Sequence, residues 1–219
     1  MRPSSRRRSM TAAAAAFLLA GGVTGCWVEK SPAPPYPAVE WQDGVPVSPL
    51  EENPWVQAVR QSLEAQAVAQ NTRDFKLPEL EQTTGVHLRS RLASHTTRYM
   101  QQNKRSMILP GPVPFAPIAV TKDDQNGENR MVVHGCEALE WSSEEGAVPA
   151  DPKATRVDLF MEQLDSGQMR ITARTSLPVD PGCENIILPI ALFNPAPPPS
   201  NTSGNSSIVQ PGPSESDPK

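Results

Sequence analysis

The apolar period of this chain changes once, and that change limits the folds open to it. The break is Leu109-Pro110-Gly111-Pro112-Val113-Pro114. Upstream, apolar residues recur at steps of three and four; downstream they alternate. Three prolines in six residues remove backbone donors and fix φ, so neither a helix nor a central strand runs through the break. Helices followed by antiparallel strands make an α+β domain, with the helices grouped on one side of a sheet.

The helical half is well punctuated. Asn53 is a favourable N-cap, and Pro54 occupies the first helical position, where its missing N–H costs nothing. Val56, Val59, Leu63 and Ala67 then form an apolar stripe that predicts a helix to about Gln70. Asn71-Thr72-Arg73-Asp74-Phe75 ends it, and Pro78 opens a short helical turn around Glu79–Thr83. Residues 87–104 predict a third, more polar helix with Leu88, Leu92, Tyr99 and Met100 facing inward. Strands are expected at Ile118–Thr121, Met131–Trp141, Arg156–Gln163, Gln168–Leu177 and Ile186–Phe193, the last marked as an edge by Pro189. In the third strand Val157, Leu159 and Met161 alternate with Asp158 and Glu162. In the fourth, Met169, Ile171 and Ala173 are expected inside and Arg170, Thr172 and Arg174 outside. Asp165-Ser166-Gly167 joins these two as a hairpin turn.

Composition matters at the two ends. The chain carries 25 Pro in 219 residues, about twice the usual share. Pro32, Pro34, Pro35, Pro37, Pro46 and Pro49 make residues 26–53 a linker, semi-rigid at about 3.1 Å per residue. Trp27 suits a headgroup layer; Tyr36 and Trp41 either belong to the arm or fold back on the core. The domain spans 54–195, and the Pro/Ser/Asn-rich tail 196–219 has too little apolar surface to offset its ordering entropy, which predicts disorder.

Residues 1–25 read as a secretory signal. Arg2, Arg6, Arg7 and Arg8 precede the apolar run Met10–Val23, shorter than the roughly 20 residues that a membrane-spanning helix needs. The rest of the chain holds 16 Lys and Arg against 24 Asp and Glu, an acidic balance that does not suit nucleic-acid binding. Val23-Thr24-Gly25-Cys26 resembles the lipobox of bacterial lipoproteins, with Val in place of the usual Leu. That resemblance implies diacylglycerol on the Cys26 thiol, cleavage after Gly25, and an acyl anchor in membrane lipid at the extracytoplasmic face of the cell membrane. An ordinary secretory signal that leaves Cys26 unmodified is the alternative. Ser5-Arg6-Arg7-Arg8-Ser9-Met10 resembles a twin-arginine signal without its following aliphatics, so the general secretory and twin-arginine routes both stay open.

With Cys26 assigned to lipid, Cys136 and Cys183 remain, and in an oxidising envelope they are expected to form a disulfide worth roughly 3–4 kcal/mol. A redox or metal pair is the alternative, but no Cys-x-x-Cys or ligand-spaced His accompanies them. His87, His95 and His134 are the only histidines. The first two lie about 12 Å apart along a helix, too far for one metal, and neither metal nor cofactor is expected. The chain has no phosphate loop, dinucleotide fingerprint, His-Glu-x-x-His or Gly-x-Ser-x-Gly.

The order of elements, and Ala69-Gln70-Asn71-Thr72-Arg73-Asp74-Phe75 closing the first helix, resemble the nuclear transport factor 2-like superfamily over residues 54–193. The resemblance implies a cone: a curved antiparallel sheet around the Asn53–Gln70 helix, with a pocket between them. It also implies His134 or Asp74 as a general base where such a domain is catalytic, against the plainer reading of an ordinary hydrogen-bonded His.

Charge is segregated as well. Arg89, Arg91, Arg98, Lys104 and Arg105 precede an acidic stretch from Asp123 to Glu145. The two sets either pair or face an anionic surface. Together these features predict a lipid-anchored, non-catalytic accessory or binding module of the cell envelope, whose partner is an envelope protein or wall polymer. A small-ligand carrier or enzyme using the cone pocket is the alternative.

Overall fold

The computed structural model describes residues 36–103, 105–124, 129–177, 181–198 and 208–211. The segment expected to be a secretory signal, Cys26, Trp27, Lys104 and most of the tail lie outside the described residues. Residues from Pro35 onward form one compact unit.

Helix α1 (Pro54–Thr72) begins where its punctuation predicts. The Asn53 side chain accepts from the Trp55 N–H at 2.9 Å, with Pro54 in the first turn. Its stripe is fully inside: Val56, Val59 and Ala67 are inaccessible, and Ala65, Gln66 and Ala69 are buried too. A helix buried on more than one side is enclosed by the domain. It ends in a left-handed residue, Arg73 (φ 60°), whose N–H donates to the Ala69 carbonyl. Helix α2 (Pro78–Thr83) and helix α3 (Val86–Asn103) follow. On α3 the buried residues are Leu88, Ala93 and Thr96, with Leu92 half-buried and Tyr99 and Met100 partly exposed. The expected inner face holds at Leu88, whereas further along the buried positions are Ala93, which packs with Phe75 and Leu80, and Thr96.

The sheet that covers α1 is an antiparallel meander, β2 (Phe115–Lys122), β3 (Arg130–Ala138), β4 (Ala154–Gln163) and β5 (Met169–Leu177), in that spatial order. This is the α+β arrangement of helices on an antiparallel sheet. Val133, Val157, Leu159, Met161 and Ile171 pack against Val56, Val59 and Leu63 of α1. Bulges between Pro117 and Ala119 and between Phe160 and Met161 bend and twist the strands. Gly167 (φ +83°) closes the β4–β5 hairpin.

Expectations are corrected at both ends of the domain. The linker assigned to residues 26–53 does not extend to 53: Ala38–Trp41 is a strand, labelled β1 here. It pairs antiparallel with Ala191–Asn194, labelled β6, to form a separate two-stranded sheet. Val39 packs on the core, and the Arg60 guanidinium stands 5.1 Å over the Trp41 ring, a cation–π contact. Tyr36 lies against the helices as well, its phenol pushed up by burial and by the charges of Glu64 and Glu79. Residues 186–190, expected in the last strand, precede β6, and Ile187 is 91% exposed. Pro189 gives no N–H to a ladder, so pairing begins only beyond it. The part of the tail that is described is also docked. Val209 donates to the Arg73 carbonyl at 2.9 Å and accepts from Phe75 at 3.0 Å, and Ile208 packs against the helical core.

Cys136 and Cys183 are disulfide-bonded, joining β3 to the 3₁₀ turn Pro181–Cys183. Both cysteines are buried in a second core cluster with Trp141, Leu188 and Phe193.

Candidate functional site

His134 and Asp74, the two positions expected to carry chemistry, are held in different settings. Asp74 follows α1, and its Oδ1 accepts from the Lys76 N–H at 2.9 Å, a local turn bond. His134 sits on β3, opposite Asp158 on β4. Val133 faces α1, so His134 faces the other side of the sheet and does not enter the space beside the helix. Its Nδ1 lies 2.6 Å from Asp158 Oδ1, and its Nε2 lies 2.8 Å from Thr121 Oγ1. A carboxylate only accepts, so Nδ1–H is the donor and Nε2 of the neutral ring accepts from the hydroxyl. Arg156 Nε approaches the same Asp158 oxygen at 3.5 Å. His134 and Asp158 line a shallow, open depression together with Lys122, Val132 and Phe160. His87 and His95 are exposed on α3. Among the described residues, no group of three His, Cys, Asp or Glu side chains is placed to hold a metal ion.

The basic and acidic segments pair in part. Arg105 Nη1 lies 2.5 Å from Glu144 Oε2, and the Tyr99 hydroxyl lies 3.4 Å from Glu144 Oε1, while Arg91 and Arg98 are exposed.

A second constellation lies on the helix side of the sheet. A cavity of about 200 Å³ opens between α1, α3, the 109–113 segment and the far end of β3. Leu63, Leu92 and Trp141 are among its apolar walls; Gln66, Gln70, Glu137 and Arg174 are its polar ones. Glu137 is on the Val133 face of β3, four residues on, and is only 4% exposed. Arg174 and Ser176 donate to its Oε1, the latter at 3.5 Å. Burial pushes the Glu137 carboxyl up, and the Arg174 guanidinium pulls partly against that.

Arg174 was expected on the outer face. The bulge at Phe160/Met161 places Ile171 opposite Met161 but Ala173 opposite Phe160, so β5 advances two residues for one on β4. Beyond Thr172 the parity is reversed: Ala173 is exposed and Arg174 turns in towards Glu137. The even spacing of Glu137 from Val133 is the sequence signal that places its side chain on the helix side of the sheet.

The cavity wall is rigidly held. Asn71 brackets Leu109, donating to its carbonyl at 2.8 Å and accepting its N–H at 2.9 Å. Trp141 Nε1 donates to the Gly111 carbonyl at 3.0 Å, and Phe193 N–H donates to Pro110 at 2.9 Å. A Cβ at Gly111 would stand 2.0 Å from the Ala191 carbonyl oxygen, so only glycine passes beneath β6. At the cavity rim, Glu140 adopts φ +53°, a left-handed conformation unusual for a non-glycine residue.

No family model matches the chain, and no curated protein matches its sequence. Among solved structures, the chain is similar to the intermembrane-space region of the chloroplast protein ARC6. The identity is 14%, covering 55% of this chain and 92% of that one, with a TM-score of 0.34. A likeness that distant carries no argument about function.

Proposed function

We propose that this protein is a lipid-anchored, extracytoplasmic binding module, held to the cell membrane through Cys26 and taking a small ligand in the cavity beside α1. The cavity is the observation that carries the binding role: a recess whose apolar walls face convergent polar and charged groups can hold and orient a small molecule. The Val23-Thr24-Gly25-Cys26 lipobox supports the anchor. The Cys136–Cys183 disulfide supports an oxidising compartment, where such bonds persist. Lipid on Cys26 also accounts for the third cysteine.

Mass spectrometry of the mature protein tests the anchor. The expected species begins at Cys26 and carries acyl glycerol, and Cys26→Ser abolishes both processing and membrane retention. A mature chain without lipid that stays membrane-bound would overturn the assignment.

A second reading, an enzyme, is favoured by the Thr121–His134–Asp158 set, which aligns hydroxyl, imidazole and carboxylate in the order that an activated nucleophile uses. Under that reading, His134→Ala abolishes hydrolysis of an activated ester such as p-nitrophenyl acetate; an unchanged rate dismisses it.

A further inference from the structure

Both donors to the Glu137 carboxylate converge on one oxygen. Arg174 Nη2 and Ser176 Oγ reach Oε1, while Oε2 is buried with no hydrogen-bond partner. A buried carboxylate oxygen without a donor is an unmet acceptor, and native interiors leave few of those. The charges on the cavity are Glu137, Glu140 and Arg174. The guanidinium is already committed to Glu137, so the lining keeps one surplus negative charge. Glu140 on the rim is held in the left-handed region, the kind of local strain that accumulates at ligand sites. The apolar walls call for a hydrocarbon body.

We propose that the cavity binds a small amphipathic organic amine in its ammonium form. The ammonium lies at the polar end of the lining beside the Glu137 carboxylate, its charge offsets the one surplus negative charge of that lining, and its apolar body lies against Leu63, Leu92 and Trp141. At about 200 Å³ the cavity has room for on the order of seven water-sized groups, which suits a short alkyl or aryl chain. This assignment rests on the binding-module reading and adds the chemical class of the ligand. A ligand carboxylate would instead set like charges against each other.

The test compares three probes of one length, n-hexylamine, hexan-1-ol and hexanoate, titrated into the full chain at pH 8 and constant ionic strength. Calorimetry gives affinity, and tryptophan fluorescence, compared with that of Trp141→Phe, isolates the response of Trp141. The expected order is hexylamine, then hexanol, then hexanoate, with the amine ahead of the alcohol by roughly tenfold, as a charge-assisted interaction provides. Glu137→Gln removes that advantage and leaves hexanol binding in place. Glu140→Gln, on the exposed rim, removes a smaller part and keeps the amine assignment testable if Glu137→Gln fails to fold. Gln70→Trp obstructs the cavity and weakens all three probes. Hexanol binding as tightly as hexylamine would overturn the ammonium assignment and leave the binding module standing. Saturation by none of the three would overturn both.

Discussion

Glu137 occupies a position where the neighbouring alternation supplies Val133 and Met131, and its acidity reflects that setting. Burial raises its carboxyl above the ordinary value of 4.5. The folded chain therefore holds this proton to higher pH than the unfolded chain does, and stability falls as pH rises through the interval above 4.5. Compared with Glu137→Gln, which is neutral throughout, the native protein gains thermal stability as the buffer is taken from pH 7.5 to 5. Differential scanning calorimetry of the two proteins measures the contrast. Glu64, whose carboxyl burial also raises, is present in both and cancels. A pH-independent difference would mean that Glu137 titrates as an ordinary surface acid. Arg73 offers a second test at this scale. A left-handed conformation is costly for a side chain with a Cβ, so Arg73→Gly is expected to stabilise the protein by about 0.5–1 kcal/mol in urea unfolding.

Among the elements, the helices were the most legible. Asn53-Pro54 and Pro78 mark their own starts, and α1 follows its stripe from Val56 to Ala67. Asn53→Ala should lose about 1 kcal/mol through the missing cap, a change visible in the urea midpoint. The strands were legible as strands but not always in facing. On β4 simple alternation holds; on β5 it fails after Thr172, because a bulge depends on the partner strand and leaves no mark in the residues themselves. For the same reason Arg174 could not be found as Glu137's partner. β1 was hidden for a different reason. Four residues among prolines show too little period to stand out, and the partner strand begins at Ala191, some 150 residues away, in contacts that no local pattern encodes.

For the whole molecule, the disulfide crosses a sequence separation of 47 residues and fastens β3 to the turn before the last strand. Replacing Cys136 and Cys183 together with Ala is expected to cost roughly 3–4 kcal/mol in the loop-closure account, read as a lower urea midpoint that reductant no longer shifts. The pairing was legible because three cysteines with one assigned to lipid leave a single pair. The assignment of Cys26 itself depends on four residues outside the described domain, and its proof is chemical.

Gly111 lies beneath Ala191 with no room for even a methyl group, so the 109–113 segment and β6 are in backbone contact. β6 in turn is laced to β1, the first strand after residue 35. Tension applied to the chain upstream would load the β1–β6 ladder first and then bear on the segment that borders the recess beside α1. A tether attached at that end would make the recess the place where a mechanical pull on the protein is felt.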